Sequence, residues 1–440
     1  MTPDTPPSSS QAHQAPAQRL LGDVLPLADT LVEQLRMAAP GVSRISVTGA
    51  LRRRTELVSD TVELLASARQ AGPILEALAR SPGVTEVLDR GASESTVRMG
   101  DGLKVHLRVV PEESFALLLH HLTGSQAHLR RVRSFARGQG FRLSEHSLLR
   151  EDGTPVSVSS EPALYRILGL QYIPPELRED TGELDAALAG RLPEDLVSLG
   201  DVQGAVHSHS TWSDGRNTLE EMARAAQALG LRYLTVTEHS EAAIYARGLK
   251  QEDLRRQWEE IDRINATLPG FRLLKGIEVD IMEDGALDYP DSLLEQLEVV
   301  IGSIHVRHGM DEEQMTRRVI QAMDNPHLHI LGHLTGRLLP SREPYPLKME
   351  AVLERAAERG VAVEVNGKPA RLDIKTEYVR MAMERGVKLV VSCDAHDVTD
   401  LFNLSYAVAT ARRGWARRDT IINTLPAQGF VETLKKQRAS

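Results

Sequence analysis

The chain carries a single cysteine, Cys393, among its 440 residues. One thiol excludes a disulfide framework and any thiolate-ligated metal cluster. No apolar run approaches the roughly 20 residues that a membrane span needs, and the N-terminus has no basic stretch followed by an apolar one, as a secretory signal would. A reducing, cytoplasmic setting with no membrane partner is the expectation. An excess of positive charge is missing too. The formal net charge is −9, whereas nucleic-acid binders tend to be basic. The total does not exclude DNA, because local patches decide. Arg52–Arg54, the Arg130–Arg137 stretch and Arg412–Arg418 are candidate patches; for the last two, solvated helix faces are an equally good reading.

What is present is enough for two or three domains. Hydrophobic residues make up 41% and charged residues 26%, which suits sizeable cores under a charged surface. Residues 1–17, rich in Pro, Ser, Thr, Ala and Gln, are expected to form a disordered tail. An amphipathic helix is expected from Leu20 to about Met37. Strands follow at Ile45–Val47, at Val62–Leu65 as its hairpin partner, and at Val105–Val110, where His106 and Arg108 share one side. Helical patterns cover Ser114–Leu122 and His128–Gly138. Together these make a small α+β domain over 18–180, followed by an acidic linker, 181–200. From residue 201 to 440 short β-rich runs alternate with amphipathic helices, the pattern of a parallel sheet or barrel wrapped by helices.

Nine histidines and carboxylates sit at the expected strand ends of this second half. His207 and His209 lie two apart, which on a strand places both on one face. Asp214 follows in Ser-Asp-Gly. His239 ends Thr-Glu-His, Glu278 lies in Gly-Ile-Glu-Val-Asp, His305 ends Ile-Gly-Ser-Ile-His, His333 follows Ile330–Gly332, and Asp394 and His396 end Ser-Cys-Asp-Ala-His. Functional side chains of parallel α/β barrels gather at C-terminal strand ends. A lone histidine there is usually a satisfied polar residue, but nine such groups buried without cations would leave unpaired charges at several kcal/mol apiece. Nine N/O ligands exceed the four that one Zn takes. With one bridging carboxylate they suit three divalent ions, and Zn, Mn or Fe fits the donor set.

His-Ser-His with Ser-Asp-Gly, Glu-His-Ser, Gly-Ile-Glu-Val-Asp, Gly-His-Leu-Thr-Gly-Arg and Asp-Ala-His resemble the motifs of the PHP (polymerase and histidinol phosphatase) superfamily across 201–440. The resemblance implies a distorted seven-stranded β/α barrel with a trinuclear centre. His207, His209, Glu278 and Asp394 would hold the first ion. Glu278, as a bridge, would hold the second with His305 and His333, and Asp214, His239 and His396 the third. Glu238 departs from the aspartate usual before the histidine, which is expected to shift the ring of His239 without ending ligation. Such ions lower the pKa of bound water and screen phosphate charge, so Glu278 and Asp394 would be central to catalysis. Arg337 and Arg371 resemble phosphate-facing residues of the superfamily; a structural ion pair is the alternative for each.

Thr-Gly-Ala-Leu-Arg-Arg-Arg at 48–54, Leu-Thr-Gly-Ser-Gln-Ala-His at 122–128 and Leu-Gly-Leu-Gln-Tyr-Ile-Pro-Pro-Glu-Leu-Arg-Glu-Asp at 168–180 extend the likeness. They resemble bacterial family X DNA polymerases with a C-terminal PHP domain, which implies a palm and thumb over 18–180. Three polymerase carboxylates are expected by that likeness and one, Asp60, is present. Val62 and His106 stand at the other two positions, and Ala50 replaces a serine that meets the nucleotide phosphate. Glu63 would point to the opposite strand face from Val62. Mg prefers oxygen ligands, so the polymerase site is expected to be inactive. A helix-hairpin-helix module would precede residue 18 and is expected to be missing. The leading expectation is a metal-dependent 3′-5′ exonuclease or 3′-end-processing enzyme acting on DNA ends or gaps. The alternatives are a small-phosphomonoester phosphatase of the histidinol-phosphatase type, a working gap-filling polymerase, and a non-catalytic DNA-binding module. The sequence sets no oligomeric state.

Overall fold

The computed structural model describes residues 18–439, with side chains to 435; the tail expected over 1–17 lies outside them. The chain forms two compact units. Of the described residues, one unit holds 18–51 together with Leu57–Phe115; the other holds Arg52–Glu56 and 116–439. The division therefore falls at Phe115 rather than at the expected 181–200 linker.

In the first unit, the helix Leu21–Ala38 buries Leu21, Val24, Leu25, Ala28, Leu31 and Leu35, a single stripe at helical spacing. The unit's five-stranded sheet comprises β1 (Val42–Val47), β2 (Thr61–Ala68), β3 (Val84–Arg90), β4 (Glu94–Met99) and β5 (Lys104–Val110). Its order is β1-β2-β5-β4-β3, with β2 and β5 parallel and the other pairs antiparallel. Sequence patterning finds β1, β2 and β5 but misses the β3–β4 hairpin and the helix Gly72–Ala79. The strand β3 is an edge exposed on both faces over most of its length, so it carries no inside–outside alternation to detect.

The second unit takes up the chain within the helix Glu112–Thr123 and continues with the helices Gln126–Gly138 and Glu161–Ile167, capped by the Ser125 and Ser160 side chains. Their core includes Val132, Leu148, Leu164, Tyr165 and Ile173, and it continues through Leu184 and Leu192 to Trp415. Arg412 binds Glu176 at 2.8 Å and Arg413 binds Glu179 at 3.0 Å. Apolar packing and ion pairs thus join residues 116–200 to the last barrel helix, Leu404–Arg413, which explains the position of the boundary.

Seven parallel strands form the barrel: β6 (Gly204–Ala205), β7 (Tyr233–Val236), β8 (Arg272–Asp280), β9 (Val299–Ser303), β10 (Ile330–Leu331), β11 (Ala362–Asn366) and β12 (Leu389–Ser392). They neighbour one another in sequence order. The two ends of the sheet meet through Cys393 N–H to Val206 O at 3.2 Å and Ala395 N–H to His207 O at 3.1 Å. Val206, Leu274, Ile301, Ile330, Ala362 and Val390 form the interior layer. Phe430 and Leu434 of the helix Ala427–Ala439 pack with them. Phe430 stacks at 5.3 Å on Tyr233, the first residue of β7, and so closes the N-terminal end. The C-terminal end remains for polar groups. No helix among the described residues is long and apolar enough to cross a membrane.

Candidate metal centre

All nine ligand candidates converge at that C-terminal end. The segment carrying His207 and His209 is not extended strand: β6 stops at Ala205, and His207 has φ +66°. The two rings still lie 5.3 Å apart. His333 and Asp394 also take positive φ, +23° and +46°. Such conformations cost of order 1–3 kcal/mol each and persist where the surroundings impose them, typically at functional sites. Gly215 is required for the Asp214 turn, because a Cβ there would lie 2.6 Å from the carbonyl carbon and oxygen of His209.

The donor atoms fall into four overlapping groups: His209, Asp214, His239 and His396; His207, Glu278 and His333; His207, His209 and Asp394; and His239, Glu278 and His305. Within each group the donors lie within 4.8 Å of one another. Glu278 occupies the middle. Its carboxylate is 3.2 Å from His207 Nε2, 3.7 Å from His209 Nε2, 3.0 Å from His239 Nδ1, 3.2 Å from His305 Nε2 and 2.9 Å from His333 Nε2. Five imidazoles thus surround one carboxylate.

The residues fit divalent ions. His207 Nε2, both nitrogens of His209, His239 Nδ1, His333 Nδ1 and Glu278 Oε2 are buried without a hydrogen-bond partner. Buried polar atoms are normally paired. His239 Nδ1 and Glu278 Oε2 approach to 3.0 Å yet are not aligned as donor and acceptor. Ligands bound at about 2.1 Å around a tetrahedral ion sit about 3.4 Å apart, so this spacing suits donors that share a cation.

Charge within the centre is divided unevenly. Against the effect of burial, His207, His305 and His239 hold Glu278 well below the usual carboxylate range. Lys368, His207 and Arg371 do the same for Asp394. Burial presses His207 down, but Glu364, Glu278 and Asp394 outweigh it and raise the ring well above 6.5. Burial, reinforced by His239 and His396, drives His209 well below 6.5. The carboxylates are therefore ionised, as a cation site requires.

Several supporting residues escape sequence reasoning. Glu364 is fully buried; it holds His207 Nδ1 at 2.5 Å and accepts the His333 N–H. A glutamate inside the apolar run Ala362–Val365 was the available signal. Asp280, two residues after Glu278, holds His305 Nδ1 at 3.0 Å. Such contacts fix which ring nitrogen is free to ligate. Glu238 does not orient the His239 ring. It accepts from Ser210 N–H at 3.0 Å, Gln257 Nε2 at 3.1 Å, and the Ser210 and Ser213 hydroxyls, and so braces the loop leading to Asp214. Lys368 Nζ lies 3.5 Å from Asp394.

The two arginines separate. Arg371 Nε is 3.2 Å from Asp394 Oδ2, at the centre. Arg337 is buried, bound through both terminal nitrogens to Glu56 and also to the Leu372 carbonyl. Its contacts are those of a structural ion pair. The candidate basic patches are also largely engaged: Arg52 with Glu161, Arg53 with Glu179, Arg412 with Glu176, Arg417 with Asp195 and Arg131 with Asp185.

At the polymerase-like positions, Val62 is buried on the apolar face of its sheet. Glu63 does point the other way, and it pairs in register with His106, so these two share a face. Asp60 lies 3.5 Å from Lys104, and His106 Nδ1 bonds Thr96 Oγ1 at 3.0 Å. None of these residues belongs to a group able to share an ion among the described residues.

A PHP-domain family model matches residues 205–368, and a DNA polymerase beta thumb model matches 118–179. The barrel with its histidine–carboxylate centre is thus that of a PHP-domain hydrolase acting on phosphoesters. A DNA polymerase/3′-5′ exonuclease PolX from Bacillus subtilis (strain 168) is 35% identical over 429 residues, 97% of this chain and 74% of its own length. A probable phosphatase from Thermoanaerobacter sp. (strain X514) is 31% identical over 232 residues, half of this chain and 89% of its own. The chain belongs to the PolX family.

Proposed function

We propose that the chain is a metal-dependent 3′-end-processing nuclease whose polymerase-like region no longer adds nucleotides. The observation that carries the hydrolase reading is the central position of Glu278 among five imidazoles, three of which turn toward it a nitrogen with no hydrogen-bond partner: His207 Nε2, His209 Nε2 and His239 Nδ1. His207, His209, Glu278 and Asp394 would hold one ion, Glu278, His305 and His333 a second, and Asp214, His239 and His396 a third. When bound, such ions supply positive charge for phosphoryl oxygens and acidify water.

The chain's own residues do the rest. Glu364 and Asp280 fix the His207 and His305 rings by holding Nδ1, which leaves Nε2 of each facing Glu278. Asp214, His396, Lys368 and Arg371 are the part-exposed members of the centre. A phosphodiester entering there would meet two cationic side chains. Their positive charge, placed where negative charge grows during hydrolysis, stabilises the transition state more than the ground state.

DNA as the substrate is supported by the thumb match over 118–179 and by a relative that is named an exonuclease along nearly the whole chain. Loss of polymerisation is supported by His106, a nitrogen donor held by Thr96 Oγ1 at 3.0 Å, and by Asp60, Glu63 and His106 forming no group able to share an ion among the described residues. The barrel-only likeness to a probable phosphatase favours a second reading, hydrolysis of a small phosphomonoester. A 3′-labelled oligonucleotide and glycerol 2-phosphate, each assayed across a Zn, Mn and Fe series, test the two together. The expected result is metal-dependent release of 3′ nucleotides with at least 100-fold lower kcat/KM on the small ester. The reverse preference would assign the chain to the phosphatases.

A further inference from the structure

The turn that follows His239 holds two large apolar side chains in solvent. Ile244 is 84% exposed and Tyr245 65%. Loose packing is not the cause, because the turn around them is tightly held. Ala243, Ala246 and Leu249 are buried to within 2%. Ala242 N–H donates to Asp288 Oδ2 at 2.7 Å, and Leu249 N–H to His239 O at 2.9 Å. Tyr289 donates to the Leu249 carbonyl. Gly248 passes so close to Ser240 that a Cβ would lie 1.8 Å from the Ser240 carbonyl oxygen. The backbone is fixed, and it presents Tyr245 outward.

The direction is informative. The Tyr245 ring centroid lies 6.1 Å from the rings of both His239 and His305, tilted at 56° and 65° to them. A flat apolar ring therefore stands at the rim of the metal centre. One face of an exposed ring carried on a firmly held turn beside such a centre is a platform on which a nucleobase stacks, and a base lies one sugar away from its own phosphate. Aromatic stacking of this kind tolerates any base, because every base has a π-face.

We propose that Tyr245 stacks on the base of the 3′-terminal nucleotide and so selects nucleic-acid ends over small phosphoesters. The proposal rests on the nuclease reading above and adds the residue that recognises the nucleoside. Tyr245 acts here through its ring and not its hydroxyl. A small phosphomonoester would leave the ring unused.

Two measurements on the full-length, metal-loaded protein test this. In the first, a strand ends in 2-aminopurine, and its last phosphodiester is replaced by a non-hydrolysable methylenephosphonate. Binding should quench the fluorescence in wild type and in Tyr245→Phe, but not in Tyr245→Ala. In the second, Tyr245→Ala should lower kcat/KM on a normal 3′ end by roughly 10- to 100-fold, mainly through KM. It should change kcat/KM less than twofold when the terminal nucleotide is abasic, and Tyr245→Phe should restore the loss. Absence of quenching in wild type overturns the stacking role, whether or not unmodified strands are cleaved. So does an equal loss in Tyr245→Phe, or an equal loss on the abasic end. Failure of wild type to hydrolyse any oligonucleotide would instead overturn the nuclease reading, and the fluorescence result would still decide the role of Tyr245.

Discussion

Replacing Glu161 with glutamine should destabilise the second unit by several kcal/mol at neutral pH. The Glu161 carboxylate is 5% exposed. It holds Arg52 at 2.6 Å and the fully buried Arg178. Arg178 also donates to Ile173 O at 2.9 Å, and Arg52 to Thr123 Oγ1 at 2.7 Å. Burial opposes ionisation of Glu161, but Arg178 and Arg52 prevail and carry its pKa from 4.5 to about 2. That shift corresponds to about 3 kcal/mol of stability. Because the folded pKa is depressed, the contribution is fully present above about pH 4.5 and is lost as pH falls toward 2. Glutamine keeps the shape but strands the Arg178 charge, and breaking a buried pair in this way costs about 3–5 kcal/mol. Trp415 packs on the same core, so its fluorescence can follow urea unfolding once Trp212 and Trp258 are changed to Phe. At pH 7 the transition should fall by about 1–2 M urea. The gap between wild type and Glu161→Gln should narrow by about 1 kcal/mol between pH 5 and pH 3.5. An unchanged midpoint at pH 7, or a gap that widens in acid, would refute the reasoning.

Three further outcomes are expected. Glu364→Gln should weaken metal binding about 10- to 100-fold in competition with a chelator, with the circular dichroism spectrum unchanged, because it releases His207 and His333 rather than core packing. Asp394→Ala and His209→Ala should each abolish hydrolysis and lower the metal content, which in wild type should approach three equivalents by elemental analysis; full turnover in both variants would place the chemistry elsewhere. Wild type should not extend a gapped primer with Mg or Mn, and extension that disappears in Asp60→Ala would restore the polymerase reading.

The clustering of the nine candidate residues is legible because barrel topology converts strand ends into one surface, so residues as distant as His207 and His396 need no contact information to be grouped. The same logic reaches Arg371 but not Arg337: an arginine in a motif looks alike whether it meets a phosphate or Glu56. Glu364 is less legible because its partners, His207 and His333, come from other strands and only the fold brings them together. The strand β3 stays hidden for the opposite reason, since a solvated edge imposes no pattern on its residues. Glu63 shows how register corrects a reading made on one strand alone. It faces away from Val62 as alternation requires, and pairing with β5 then sets it beside His106.

The ties from Arg412 and Arg413 to Glu176 and Glu179 bear on how this protein can be taken apart. A cut in the 181–200 segment, which looks like a natural seam, would uncover Trp415 and leave both guanidinium groups without their carboxylates. A hydrolase fragment that begins near residue 116 would retain those partners. The thumb-like segment is in this sense a brace for the last barrel helix, which follows Asp394 and His396 in the chain. This gives a reason for keeping such a segment that does not depend on nucleotide addition.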